Sequence, residues 1–457
     1  MSGNSFFYFI SALISLGLYY IAPNQVDYAF QVICFLLFLV QALAVLREDI
    51  RREGILSFNL IFLFSFFLVT YAFPLFLIGV TMAQREGIEA YIDFNVSCKC
   101  SALSTFAISI YFWSYKRRRK KIFDFSRLIK TERLGTINYI YYVLFVVMIY
   151  ITVNYMIKVG GIAVESGYWS SLFLACLPLC LIYNTKEHHV RNLNQYLSKN
   201  IWILLPSILL MLLYFIIGDR GLVIVSGIVI VSVYSIFVKH VKPILFLTGI
   251  IVGSILMFVV RETRTTESAL STGNTSAFIQ DAEGTINASS TLAVFSDLTG
   301  IHRELYIGYD YVEHNGLLEP MQALIVPFYP LPLVPGIMSQ AMFGKTMDDL
   351  KPGYALNRYM AYSGHGHFGI HCVIDVYMRW GMLGVIFAFY LWGYMVASLK
   401  ASRNRNLLGV ALYVTLLASA ISIPRQPLLD MLRTLSYVII LAWVASLFSK
   451  KRKVLNR

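Results

Sequence analysis

Five arginines sit where an apolar run of this chain ends or turns. Arg220 lies in Gly218-Asp219-Arg220-Gly221, Arg261 and Arg264 follow a run ending at Val260, Arg425 lies in Pro424-Arg425-Gln426-Pro427, and Arg433 stands just inside the next run. A guanidinium is always charged and grips phosphate through two parallel N–H donors, so several together could neutralise a pyrophosphate with no metal ion. Each also has a local alternative, such as Asp219 beside Arg220, Glu262 beside Arg261 or Asp430 beside Arg433. Taken together they read as one site for an anionic ligand.

A second constellation supplies proton chemistry. Three of the eight histidines, His365, His367 and His371, fall in a glycine-rich stretch with Gly364, Gly366 and Gly369, and Asp375 follows one turn into an apolar run. His367 or His365 could take a proton from a hydroxyl, with Asp375 orienting it or replacing it. His367 and His371 would share a helix face and could hold zinc, but the glycines work against a continuous helix there. No metal is expected at this site. In the outer segment Asp348-Asp349 could in principle bind a cation.

The elements that must position these residues are membrane spans. Of the 457 residues, 58% are hydrophobic and 14% charged, and mean hydropathy is +0.66. That excludes an ordinary soluble enzyme and a disordered chain. Twelve apolar runs are long enough to cross a bilayer, at 5–23, 28–46, 55–83 (broken at Pro74), 96–115, 135–157, 169–184, 201–218, 222–238, 244–260, 373–398, 407–423 and 432–449. The first run has no basic stretch before it and no clear cleavage site after it, so it is read as a span rather than a removed leader.

Charge orients the spans. Alternate connections hold 25 of the 38 Lys and Arg, with the densest cluster at 116–121, and lysines and arginines collect on the cytoplasmic side. Both termini are therefore expected in the cytoplasm. The overall charge of +13 is a topology signal rather than a nucleic-acid-binding one, and the opposite side, where the five arginines lie, is net acidic. Six cysteines, most of them within spans, imply no disulfide framework.

The chain accordingly divides into residues 1–260 with spans one to nine, a large outer segment at 261–372, and residues 373–457 with spans ten to twelve and a basic tail. The first part of the outer segment, to about Ser290, is expected to be helical or loose. In 321–336, prolines 327, 330, 332 and 335 exclude a transmembrane helix, leaving an amphipathic or re-entrant segment on the membrane face.

The Gly-Asp-Arg-Gly tip at 218–221, the arginines at 261 and 264, the stretch ending in Pro335-Gly336, the Gly-His-Gly-His-Phe-Gly run followed by Asp375-Val-Tyr377-Met-Arg379-Trp-Gly381, and the Pro-Arg425 tip resemble the Wzy-type oligosaccharide repeat-unit polymerases. The resemblance covers roughly residues 215–440. It implies an all-α polytopic fold similar to the GT-C glycosyltransferases, in the bacterial inner membrane, with one large periplasmic loop between spans nine and ten. It also implies an activity: transfer of a growing O-antigen or capsule glycan from undecaprenyl pyrophosphate to a hydroxyl of the next lipid-linked repeat unit.

On this reading Arg220, Arg261, Arg264, Arg425 and Arg433 hold the pyrophosphate, and Tyr329, Tyr354 and Tyr362 carry sugars. The implied partners are the lipid-linked donor and acceptor, the bilayer and a chain-length regulator, with no cofactor and no nucleic acid. The alternatives are an O-antigen ligase, which has a similar plan but delivers glycan to lipid A core, and a lipid-linked oligosaccharide flippase or other transporter, which would place its polar residues near the midplane.

Overall fold

Long runs of Leu, Ile, Val and Phe offer their backbones no polar partner but themselves, and in this protein they form helices. The computed structural model describes residues 3–54, 56–79, 92–117, 134–159, 167–217, 220–241, 300–319, 323, 325–331, 334–344, 350–360, 369–403 and 406–448. The helices are α1 Gly3–Ile21, α2 Tyr28–Glu53, α3 Phe58–Phe67, α4 Phe73–Phe76, α5 Ser97–Lys116, α6 Ile137–Val159, α7 Gly167–Glu187, α8 Leu193–Ile217, α9 Arg220–Phe237, α10 His302–Asn315, α11 Val334–Phe343, α12 Pro352–Tyr359, α13 Cys372–Ser402, α14 Leu407–Ser419 and α15 Asp430–Phe448. No strand occurs among the described residues.

Among the described residues, seven helices are long and apolar enough to cross a membrane: Tyr28–Arg51, Phe58–Phe76, Ile137–Asn154, Tyr168–Glu187, Leu193–Phe215, Cys372–Ser402 and Asp430–Phe448. Three more apolar helices are shorter, Ser5–Ile21, Gly221–Phe237 and Leu407–Ser419. The protein is thus an α-helical membrane protein. Its outward faces agree: on α8, Ile201, Trp202, Leu205, Ile208, Leu209 and Leu212 recur at helical spacing and are all exposed. A continuous apolar stripe of that length needs lipid against it.

Of the twelve runs expected, 244–260 lies outside the described residues, as does the stretch from Arg261 to Ser290. The other eleven coincide with helices, with differences that have local causes. The run at 55–83 is helical from Phe58 to Phe76, and its break is a π-turn over Leu68–Ala72 just before Pro74, where the missing N–H would otherwise leave a gap in the ladder. The run at 96–115 forms α5, which lies between α1, α2 and α13 and is buried along most of its length. Ser97, Ser101, Thr105 and Ser109 repeat every fourth residue along it, so small side chains let its neighbours approach closely. The proline-rich stretch forms a short turn of 3-10 helix, Val326–Phe328, and then α11, which takes Pro335 in its first turn.

Two polar systems mark the ends of the bundle. At one end Asp49 of α2 accepts hydrogen bonds from Asn59 Nδ2, from Lys400 Nζ at 2.8 Å and from Tyr115 OH at 3.1 Å, while Tyr111 donates to Asn59. Lys116 pairs with Glu48 beside it at 2.6 Å. These contacts tie α2, α3, α5 and α13 together. The opposite end holds the candidate site.

Candidate functional site

The first half of α13 carries the central charges. His371 caps the helix: its Nδ1 accepts the Val373 N–H at 3.2 Å, which leaves Nε2 to donate to Thr70 Oγ1 at 2.9 Å. Both ring nitrogens are committed and the imidazole is neutral, so His371 is a buried structural cap. One turn on, Asp375 Oδ1 accepts from Arg379 Nε at 3.0 Å, with both side chains about 2% exposed or less. Arg379 lies over the Tyr329 ring, 5.8 Å from its centroid. Gly381 then breaks the helix at φ 62° and ψ −154°, a conformation that side chains disfavour. Leu317 packs against this kink.

Opposite this pair is the start of α15. Asp430 interacts with Arg433, Lys351, Arg379 and Asp375. Arg433 lies over Tyr168 at 5.5 Å, and its buried Nε has no hydrogen-bond partner. Tyr168, Tyr329, Lys351, Asp430 and Arg433 line a small cavity of about 60 Å³, which has room for several water molecules or a phosphoryl group.

A much larger space lies close by. A groove of about 980 Å³ runs along α13 from Arg379 to Leu399, walled by Trp380, Leu383, Phe387, Leu391 and Met395 and by Leu429 and Leu432 at the start of α15. Twenty residues of helix make it roughly 30 Å long. Its lining is mostly apolar, and at one end Arg379 stacks on Tyr329 of the small cavity. Such a groove suits a molecule with a long hydrocarbon chain and a phosphate head.

Beside the cluster, three segments meet: the start of α10, residues 369–371, and the 3-10 turn Ile423–Arg425. A Cβ on Gly369 would come within 2.8 Å of Ile301 Cδ1 and 3.2 Å of the Arg425 carbonyl oxygen, so a side chain there would have to push Ile301 aside. Glu304 of α10 is 5% exposed, and its Oε2 has no hydrogen-bond partner. Burial pushes its carboxyl up to about 7, against the pull of Arg303 and Arg425.

The residues expected from the sequence divide accordingly. Asp375, Arg425, Arg433 and Tyr329 are brought to this end of the bundle. Tyr329 is buried beneath Arg379 rather than open to a sugar, and Tyr354 lies under Arg358 at 5.0 Å on α12. The backbone of Arg220 opens α9, but its side chain lies outside the described residues, as do His365, His367, Tyr362, Arg261 and Arg264. Asp348 and Asp349 lie outside them too. Among the described residues no group of three His, Cys, Asp or Glu is placed to hold a metal. All six cysteines are free and buried.

Sequence reasoning missed Arg379, Lys351, Tyr168 and Glu304. Arg379 had a readable signal, an acid and an arginine four residues apart on an apolar helix. The other three had none. Comparison with family models, with curated proteins and with solved structures finds no match to this chain.

Proposed function

We propose that this protein is a membrane glycosyltransferase that polymerises lipid-linked oligosaccharide repeat units. The growing glycan leaves undecaprenyl pyrophosphate and joins a hydroxyl of the next lipid-linked unit. The observation that carries this reading is the apolar groove along α13, which has Arg379 at one end, near the small cavity lined by Lys351 and Arg433. The isoprenoid chain occupies the groove. Its pyrophosphate lies between Arg433 and Arg425, where fixed cations stabilise the charge that develops as the glycan departs. No protein cofactor enters this scheme.

The finer topology belongs to the same reading. Twelve spans place both termini and the Asp49–Lys400 end in the cytoplasm, and the Arg425 end faces the periplasm. Reporter fusions after Lys116, Lys186 and Lys242 should all report cytoplasm, and a periplasmic signal from any of them would overturn the arrangement.

Electrophoresis of surface polysaccharide from a deletion strain tests the activity. Loss of a polymerase leaves single repeat units attached to the acceptor lipid, whereas loss of a ligase leaves none and loss of a flippase blocks export of the unit. Arg425→Ala should reproduce the single-unit pattern, and a full-length ladder from that variant would sink the proposal.

A further inference from the structure

Residues 320–344 contain no charged side chain, and within them Phe328, Leu331, Ile337 and Met342 are 37%, 47%, 64% and 59% exposed. A charge-free stretch with that much apolar exposure marks a contact surface, and its depth decides what covers it. Its buried side is a small apolar cluster of Ile325, Val326, Tyr329 and Leu350, against which Trp380 of α13 and Leu429 pack. From Trp380 to Lys400 is twenty residues of α13, about 30 Å, which is the thickness of a hydrocarbon layer. On α15 the Ser436 hydroxyl donates to the Pro330 carbonyl six residues past Asp430, about 9 Å down that helix. Both measures put residues 325–331 at the edge of the hydrocarbon or below it.

The backbone suits that depth. Irregular backbone survives beside lipid only where the protein satisfies its polar groups. Prolines 327, 330, 332 and 335 carry no N–H that would need a partner. The Tyr329 N–H donates to the Val326 carbonyl at 3.0 Å and the Leu331 N–H to the Phe328 carbonyl at 2.9 Å, while Ser436 serves the Pro330 carbonyl. Trp380 and Leu429 also belong to two surfaces: they pack on the buried side of this stretch, and they line the groove with Leu383 and Phe387, which are 78% and 71% exposed. The exposed apolar residues therefore continue the lipid-facing surface of the bundle.

We propose that residues 325–331 and α11 form a shelf embedded in the membrane leaflet on the Arg425 side, with Phe328, Leu331, Ile337 and Met342 against lipid acyl chains. The prolines exclude a spanning helix; the depth, and the side that meets lipid, follow from the contacts with α13 and α15. Leu331 also lines the small cavity with Tyr168, Lys351 and Arg433, so on this side the cavity is walled by a residue that lipid touches. The shelf does not depend on the polymerase reading and holds whatever ligand the cavity takes.

The test places a nitroxide on single added cysteines, Leu331→Cys, Ile337→Cys and Met342→Cys, in the full chain reconstituted into vesicles of phosphatidylcholine and phosphatidylglycerol. All six native cysteines are buried, so the unsubstituted parent supplies the background. Collisions with oxygen, which concentrates in lipid, should exceed collisions with a water-soluble nickel chelate at all three sites, as at Leu205→Cys on the exposed apolar stripe of α8. At His188→Cys, in the exposed turn between α7 and α8, the order should reverse. More nickel than oxygen collisions at the three sites overturns the placement. Shielding from both reagents overturns it too, because a second copy or another protein then covers the face. A lipid-soluble diazirine repeats the test on the parent without substitutions. The peptide holding residues 325–343 should be modified along with that of α8, and modification of α8 alone overturns the proposal.

Discussion

Asp49 and Glu304 are both buried carboxylates, 2% and 5% exposed, at opposite ends of the bundle, and they are treated in opposite ways. Asp49 accepts from an asparagine, a lysine and a tyrosine carried by three other helices, which anchors α2 against its neighbours. Glu304 has an oxygen with no hydrogen-bond partner, although Arg303 and Arg425 act on its charge. Satisfied polarity holds helices in register, and unsatisfied polarity is stored cost that persists where something else must use it. The Lys400 end holds the frame, and the Arg425 end is where the proposed chemistry would lie.

The largest expected effect breaks the frame. Asp49→Ala removes the carboxylate that Lys400, Asn59 and Tyr115 all donate to, and breaking such a buried pair costs about 3–5 kcal/mol. Thermal unfolding of the purified protein in detergent should show it, and a variant as stable as the parent would mean that the Asp49 network is surface decoration.

Glu304→Gln should do the reverse. A carboxyl whose affinity for protons is raised from 4.5 to about 7 on folding binds more protons when folded, so its contribution to stability falls as pH climbs from 4.5 to 7 and stays low above that. The parent should lose about 3 kcal/mol across this window relative to Glu304→Gln. The two proteins should melt alike near pH 4 and differ most at pH 8. Parallel melting curves across the range would erase the contrast with Asp49.

Gly381→Ala sharpens the comparison at the kink. A side chain at φ 62° and ψ −154° costs about 1–3 kcal/mol, and straightening α13 would pull Arg379 from the groove mouth. Binding of undecaprenyl pyrophosphate should weaken along with stability. The smallest effect is Arg433→Ala, which removes one cation from the small cavity and should weaken the same binding about tenfold, or about 1.4 kcal/mol, with little change in melting. Unchanged affinity would move the pyrophosphate away from α15.

The amino-acid sequence by itself determined the class of protein and the longest helices. Runs of apolar residues must satisfy their own backbones in lipid, so the helices from Cys372 and from Asp430 could be read directly. So could two local pairs, Asp375 with Arg379 and Asp430 with Arg433, because a helix places residues three or four apart on one face. What only the tertiary structure decided is who meets whom across the bundle. Lys351 and Tyr168 reach Arg433 from segments far apart in the chain. His371, which the spelling groups with His365 and His367, is consumed instead as a helix cap on Val373 with Thr70 on its other nitrogen. Glu304 sits in an unremarkable stretch, His302-Arg303-Glu304-Leu305-Tyr306, and nothing in that spelling distinguishes it from a solvated surface acid. Burial and the lack of a partner belong to three-dimensional packing, and they alone give the carboxyl its character.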